Sequence, residues 1–176
     1  MYQRILAPLD GSKVAEGVLP QVCELARALN AELVIARVSP TADSLLGHGI
    51  TIGPGAVGLD AQLEQAASAY LIELAATLDA GAKPVRYVTL RGPVAESLIG
   101  WATMNNVDLV ALMSHGLGHA ARWVFGSVAD RLLQSSPVPV LVLRATPTQL
   151  EAQEEQEERD LDASLLRAMG GQQANI

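Results

Sequence analysis

The sequence predicts an α/β fold in which a doubly wound, five-stranded parallel sheet carries helices on both faces. Five short apolar segments alternate with segments whose apolar residues recur at helical spacing. The short segments are almost continuously apolar, as in strands that are buried on both sides. Strand–helix–strand units of this length form right-handed crossovers, which make the strands parallel. Together these observations predict a sheet covered by two layers of helices.

The first two elements are a strand over residues 3–8 and a helix that runs to about Asn30. The turn between them holds Asp10 and Ser12, and either side chain can cap the helix by accepting a hydrogen bond from its first N–H groups. Pro20 lies inside the helical pattern. It predicts a kink there, because proline has no N–H to donate to the preceding turn.

The rest of the chain continues the alternation of strands and helices. In order, we predict a strand over 32–38, a Gly- and Pro-rich loop over 39–59, a helix over 60–78, a strand over 83–90, a helix over 94–106, a strand over 108–113, a glycine turn over 114–118, a helix to about residue 134 and a strand over 138–143. Gly53 to Gly58 match Gly-x-Gly-x-x-Gly, but they lie far beyond the second strand. They therefore do not form the strand-to-helix turn that a dinucleotide fingerprint requires.

The charge of the chain is concentrated at its end. The formal net charge is −7, and residues 145–176 hold seven acidic residues and two arginines. The first 144 residues are therefore close to neutral, which excludes the basic footprint of a nucleic-acid-binding protein. We expect residues 1–144 to form one domain and residues 145–176 to form an acidic helical or disordered tail.

The composition also indicates the cellular compartment of the protein. Cys23 is the one cysteine in 176 residues, which excludes a disulfide scaffold, and its place on the apolar face of the first helix predicts a core residue. No apolar run reaches the roughly 18 residues that a membrane span needs. The first residues also lack the apolar run of a signal peptide. The sequence therefore favours a cytoplasmic protein that contacts no membrane.

Two turns after strands carry residues that suit a ligand. Open parallel sheets bind ligands beyond the carboxyl ends of their strands, where the strand order reverses. Glycine lets the backbone approach a ligand closely, and the N–H groups at the start of a helix suit a phosphate. The candidate residues follow the first strand (Pro8, Leu9, Asp10) and the fourth strand (Met113, Ser114, His115, Gly116), or begin the helix before the last strand (Gly126, Ser127, Val128).

These segments resemble the universal stress protein family. ILAPLDGS at residues 5–12 matches its first strand and turn, and SHG, nine residues, then GS and VADRLLQSSPVPVLVLR match its last part. Nucleotide-binding members carry G-x2-G-x9-G-[ST] after the fourth strand. Gly116, Gly126 and Ser127 match the last three elements of this motif, whereas Met113 stands at its first glycine. The resemblance covers about residues 2–144.

The resemblance implies that an adenine nucleotide binds at this edge of the sheet. ATP is the expected ligand, with AMP or ADP left open, and Mg²⁺ would accompany its phosphates with help from Asp10. No metal site made by the protein alone is expected, because glycines separate His115 from His119. The implied roles are adenine and ribose contacts for Pro8, Leu9, Asp10 and the backbone of Val38, ribose proximity for Met113, and phosphate contacts for Gly116, Gly126, Ser127 and Val128. From its position in the turn, His115 is expected either to lie beside the nucleotide or to be simply exposed.

A second copy of the chain is the expected protein partner. A bare apolar edge strand invites aggregation, and pairing it with the same strand of another copy covers it. The last strand, Val138 to Leu143, is a candidate for such an edge. Many members of the family dimerise in this way, so the resemblance implies a homodimer through this strand.

Three functions remain open at this point. The first is a regulatory ATP-binding stress protein with at most slow hydrolysis, because no strong base stands near the phosphate residues and Lys13 follows the first strand instead. The second is an interaction module that binds no nucleotide, which Met113 favours. The third is an adenylyl transferase or pyrophosphatase, which the absence of a second domain for another substrate disfavours. No catalytic residue is predicted, since the chain has no G-x-S-x-G elbow and no P-loop.

Overall fold

The computed structural model describes residues 2–39, 58–114 and 126–146, together with Thr148 and Arg159. Most of the predicted loop over 39–59, most of the predicted turn over 114–118, the first part of the helix predicted after it and nearly all of the tail lie outside these residues. In chain order the described elements are β1 (Arg4–Pro8), α1 (Lys13–Glu16), α2 (Leu19–Leu29), β2 (Glu32–Ser39), α3 (Leu59–Thr77), β3 (Arg86–Arg91), α4 (Val94–Met104), β4 (Leu109–Ser114), α5 (Ser127–Ser135) and β5 (Val140–Arg144).

The five strands form one parallel sheet in the order β3-β2-β1-β4-β5. The chain moves outward from β1 to β2 and β3, and it then returns to the other side of β1 for β4 and β5. The strand order therefore reverses between β1 and β4. This arrangement confirms the predicted doubly wound α/β fold.

Alternate residues of the strands build a core on each face of the sheet. Ile5, Ala7 and Ala111 point to the face that α1, α2 and α3 cover, where Cys23 is buried as predicted. Leu6, Ala36 and Leu112 point to the opposite face, which α4 and α5 cover. Because both faces are covered, the central strands β1 and β4 are apolar except at their ends, which explains the continuous apolar segments there.

The predicted kink at Pro20 is a break between two helices that lies slightly earlier in the chain. α1 ends at Glu16 and α2 begins at Leu19, so Pro20 stands in the first turn of α2. A proline in one continuous helix would leave the carbonyl of Glu16, four residues earlier, without its N–H partner and would press the ring against it. Ending α1 at Glu16 avoids both penalties.

Two strands, β3 and β5, begin more than one residue later than the sequence predicted. β5 spans Val140–Arg144 rather than residues 138–143, because Val138 is held by Ser136: its N–H donates to the Ser136 hydroxyl at 3.2 Å, and its carbonyl accepts from the same hydroxyl at 2.8 Å. β3 begins at Arg86 rather than at residue 83. Pro84 accounts for this, since it has no N–H for the ladder with β2.

Two carboxylates stabilise the amino-terminal end of the sheet through hydrogen bonds and ion pairs. Asp108 accepts hydrogen bonds from the backbone N–H groups of Gln3 at 2.7 Å and Arg4 at 2.9 Å, and these bonds lower the pKa of its carboxyl. Partial burial alone would raise the pKa of the Glu32 carboxyl. The hydrogen bonds and charges of Arg4 and Arg86 outweigh that burial and lower it. Native contacts therefore favour the ionised form of both groups.

Acid is expected to lower the free energy of unfolding through these two groups. A carboxylate with a depressed folded pKa adds stability above its ordinary value, 4.5 for Glu32 and 3.8 for Asp108, and loses it as the pH falls through the folded value. Asp108→Ala should cost about 1–2 kcal/mol at neutral pH and reduce the dependence of stability on pH. Urea unfolding between about pH 7 and pH 3 measures both effects. Glu73→Ala, at an exposed position on α3, is the control, and an unchanged pH dependence in Asp108→Ala would contradict the assignment.

Candidate functional site

A crevice opens at the carboxyl edge of the sheet, between β1 and β4. β1 pairs with β2 along its whole length, to Pro8 opposite Ala36. Its pairing with β4 stops at Leu6 opposite Val110, two residues before β1 ends. Pro8 has no N–H to continue a ladder, so the two strands separate toward their carboxyl ends. This is the position at which a doubly wound sheet offers room for a ligand.

The crevice widens into a cavity of about 450 Å³. This volume lies within the roughly 300–1,000 Å³ that small-molecule sites occupy. Four helices and three strands contribute side chains or backbone to its walls if the turn before α5 is counted with that helix. The lining residues are Pro8, Leu9, Asp10, Ala15, Arg37, Val38, Ser39, Leu63, Ala66, Ala67, Val94, Leu98, Leu112, Met113, Ser114, Gly126, Ser127, Val128 and Ala129. α2 is the one described helix that takes no part.

The cavity brings together most of the residues that the sequence singled out. Eight of the ten proposed ligand-binding residues line it: Pro8, Leu9, Asp10, Val38, Met113, Gly126, Ser127 and Val128. The other two, His115 and Gly116, lie outside the described residues. Residues far apart in the chain therefore meet at one edge of the sheet, as expected for the carboxyl ends of neighbouring parallel strands.

The apolar walls are the part of the cavity that sequence reasoning missed. Leu63, Ala66 and Ala67 come from one face of α3, and Val94 and Leu98 come from α4. Leu63 and Ala67 fit the helical spacing that predicts a core face, and that spacing does not distinguish packing against a sheet from lining a cavity. Apolar side chains of this kind suit the face of an aromatic ring.

The turn after β1 holds Asp10 at the mouth of the cavity. Ser12 caps α1, since its hydroxyl accepts from the N–H of Ala15 at 3.1 Å. Asp10 accepts from the N–H of Ser12 at 2.8 Å through one carboxylate oxygen, so it shapes the turn rather than capping the helix. Gly11 has a φ of +93°, which a side chain would strain. The turn is thus built to hold an exposed carboxylate beside the cavity.

The amino-terminal end of α5 closes the other side of the cavity. Gly126 precedes the helix, and its carbonyl accepts from Asp130 at 2.9 Å, which starts the helical hydrogen-bond pattern. The first N–H groups of a helix have no acceptor within it and carry a partial positive charge. Here they belong to Ser127, Val128 and Ala129, which all line the cavity. This end of the cavity is suited to an anionic group.

Met113 is a core residue as well as a wall of the cavity. It lies inside β4, opposite Leu143 of β5, and only 7% of it is exposed. Its neighbours in the core include Leu9 and Ala111, on the face that α1 and α2 cover. Met113 therefore fills space in the packed interior at the position where the family motif has its first glycine.

Neither a membrane-spanning helix nor a cluster of metal ligands occurs in the described part of the chain. No helix there is both long enough and apolar enough to cross a bilayer. Across the same residues, no three histidine, cysteine, aspartate or glutamate side chains come together as candidate metal ligands.

Comparisons with known proteins match the chain to a family over most of its length. A family model for the universal stress protein family matches residues 1–144. The chain is 30% identical over 142 residues to universal stress protein A homolog 1 of Coxiella burnetii, an alignment that covers 81% of this chain and 96% of that protein. The matched region ends where β5 ends, at Arg144.

Solved structures of universal stress proteins have the same fold. One, solved in complex with cAMP, is 21% identical with a TM-score of 0.54, and the match covers 82% of this chain and 98% of that one. Another, from Arabidopsis thaliana with AMP bound, is 8% identical with a TM-score of 0.57, over 84% of this chain and 94% of that one. The strand order, the family match and these shared folds agree, and the chain belongs to the universal stress protein family.

Proposed function

We propose that this chain binds an adenine nucleotide, with ATP as the first candidate, and acts as a regulatory protein of the cytoplasm. The observation that carries the proposal is one cavity at the reversal point of the sheet, which joins apolar walls to the start of a helix. The base needs the apolar walls, and the phosphates need the helix. Two solved relatives in fold hold cAMP and AMP, which supports the adenine nucleotide class.

The residues present fit such a ligand from end to end. The adenine would lie between α3 and α4, near the backbone of Val38, and the ribose would lie over the end of β1 at Asp10. The phosphates would accept hydrogen bonds from the N–H groups of Ser127 and Val128. Mg²⁺ would be held mainly by the phosphates, with the Asp10 carboxylate as the one protein oxygen donor that carries a charge among the described lining residues.

The surroundings of Gly126 show whether the fold itself requires glycine at the start of α5. Its φ of −57° is accessible to any residue, and no described atom lies within 4 Å of the position where a Cβ would stand. Neither backbone strain nor packing among the described residues requires glycine there. Glycine at this position leaves space for a ligand at the start of α5 among the described residues.

Fast hydrolysis is not expected from these residues. Lys13, the lysine nearest in sequence to the candidate site, is paired with Glu16 at 2.8 Å and does not line the cavity. The lining residues on the phosphate side supply N–H groups and the Ser127 hydroxyl, but no carboxylate or histidine that could activate water among those described. The nucleotide is therefore proposed as a regulatory ligand, with at most a weak ATPase activity.

Calorimetric titration of the purified protein with ATP, AMP and adenosine tests the proposal. Micromolar binding of ATP, weaker binding of AMP and still weaker binding of adenosine would support an apolar site for the base joined to a phosphate site. GTP is the control for the base, and turnover is followed by phosphate release. A folded protein that binds none of these ligands would overturn the proposal and favour the interaction module.

We also propose a homodimer that pairs through β5, the strand at one edge of the sheet. Val110 donates to the carbonyl of Pro139, and Ala145 donates to the carbonyl of Ser114. In a parallel ladder every second residue bonds to the neighbour, so the N–H groups of Val140 and Val142 point away from β4. Within the described part of the chain no strand covers this edge, so these outward groups could pair with the same strand of a second copy.

Val142→Pro is expected to convert the dimer to a monomer while β5 stays paired with β4, because the change removes only an outward N–H group. Leu141→Pro is the contrasting variant, since it removes an inward N–H group and should lower the unfolding midpoint. Light scattering after size exclusion measures the mass of each variant. A Val142→Pro protein that remains dimeric would contradict pairing through this edge.

A further inference from the structure

Arg37 is a cationic residue of the cavity that the nucleotide contacts above do not use. It lies on β2, one residue before Val38, and lines the cavity. Its Cζ atom lies 5.0 Å from the centre of the Tyr70 ring on α3. The turn after β1 is also close, since a Cβ at Gly11 would stand 3.0 Å from Cζ and from both terminal nitrogens. The guanidinium thus lies against both a helix and a turn.

Tyr70 is itself fixed in place. Its hydroxyl donates to Glu16 at 3.1 Å. Burial, and after it the charge of Glu16, raises the pKa of Tyr70 well above its usual range, so the phenol stays protonated at neutral pH. Glu16 in turn pairs with Lys13. The charge of Glu16 is therefore met by a lysine and a phenol, and the ring of Tyr70 is left as a support for Arg37.

The guanidinium of Arg37 has no hydrogen-bond acceptor and no carboxylate within ion-pair distance among the residues that the structure describes. An arginine carries five N–H donors in one plane, and this plane matches two oxygens of a phosphate. The Tyr70 ring and the Gly11 turn both lie against the guanidinium, so the N–H donors that they leave uncovered are the ones available to a ligand. The cavity is where such a ligand would lie.

The place of Arg37 in the sheet indicates which part of a nucleotide it would meet. β1 lies between β2, which carries Arg37, and β4, which leads toward α5. Strands are about 4.8 Å apart, so β2 and β4 lie about 10 Å from each other on the two sides of β1. Asp10, at the end of β1, stands between them. A nucleotide with its 5′-phosphates at α5 and its ribose at Asp10 directs the 2′ and 3′ oxygens toward the side of Arg37.

We propose that Arg37 forms a second anion subsite, which binds a phosphate ester on the 2′ or 3′ oxygen of the ribose. This inference rests on the proposed nucleotide function and adds a ligand class to it: adenine nucleotides phosphorylated on the ribose as well as at the 5′ position. Asp10 alone would repel such a group. The positive charge of Arg37 offsets that repulsion and supplies the donors.

Calorimetric titration with 5′-AMP, adenosine 3′,5′-bisphosphate and adenosine 2′,5′-bisphosphate tests the subsite. The wild type should bind one of the bisphosphates at least about tenfold more tightly than 5′-AMP, as a charge-assisted contact implies. In Arg37→Gln this ratio should fall to about one, and Arg37→Lys should keep only part of it, because lysine offers no planar pair of donors. Arg27→Gln, on α2 beside Asp79, is the matched control and should keep the wild-type ratio.

The outcomes separate this inference from the function on which it rests. If the wild type binds 5′-AMP and shows no preference for either bisphosphate, the subsite is wrong and the nucleotide site stands. If the preference exists but survives in Arg37→Gln, the phosphate is bound elsewhere and the inference also fails. Absence of binding to all three ligands by folded protein overturns both. The wild-type comparison decides the first question even if Arg37→Gln does not fold.

Discussion

Gly126→Ala is expected to weaken ATP binding by about ten- to hundredfold, the size of one or two lost charge-assisted hydrogen bonds. The added methyl group would stand where the phosphates approach the first N–H groups of α5. Because the backbone at Gly126 has φ −57° and the new Cβ would meet no described atom within 4 Å, the fold itself should accept alanine. Loss of binding with an unchanged unfolding midpoint is the expected pair of results, measured by calorimetric titration and thermal unfolding.

Gly100→Ala is the matched control for this variant. Gly100 lies within α4, outside the cavity lining, and a Cβ there also meets no described atom within 4 Å. Alanine in a helix interior should raise the free energy of unfolding by about 0.5–1 kcal/mol, and ATP binding should stay at the wild-type level. Equal ATP affinity in Gly126→Ala and the wild type would show that the phosphates do not approach this position.

Much of the fold could be predicted from the sequence because parallel strands with helices packed on both faces of the sheet are continuously apolar. Ile5, Leu6 and Ala7 point to alternate faces and are all fully buried, and a short continuous apolar run of this kind indicates the strand. Strand ends were less predictable. The local hydrogen bonds of Ser136 with Val138, and the missing N–H of Pro84, decide where β5 and β3 begin. Such effects depend on single contacts that periodicity does not contain.

The residues of the candidate site could also be predicted only in part. Turn residues such as Asp10, Gly126 and Ser127 could be selected because they follow strands or begin a helix, and topology then brings the ends of parallel strands together. Leu63 and Val94 could not be assigned to a cavity, since a helix face that lines a cavity has the same apolar spacing as one that packs on a sheet. Arg37 was also missed, because its role depends on Tyr70 and on the Gly11 turn, which lie elsewhere in the chain.

Met113→Ala is expected to lower the free energy of unfolding by about 2–5 kcal/mol, the range for truncating a buried methionine. Met113 is 7% exposed inside β4, where its neighbours come from β1 and from the helices on that face. Alanine would leave a hole that these neighbours fill only in part. Urea unfolding measures the loss. Met113→Gly, which restores the motif glycine, should cost about 0.5–1 kcal/mol more, since glycine also loses more backbone freedom on folding.

Met104→Ala is the control for Met113→Ala, because it removes the same side chain from an exposed position. Met104 is 78% exposed at the end of α4, so its truncation should change the free energy of unfolding by no more than about 0.5 kcal/mol. A similar small change in Met113→Ala would contradict its place in the core. ATP affinity in Met113→Ala then decides what the methionine does at the motif position. A gain of tenfold or more would show that its side chain obstructs the nucleotide, as the interaction-module alternative requires, whereas no gain would show that the strand accommodates methionine and ligand together.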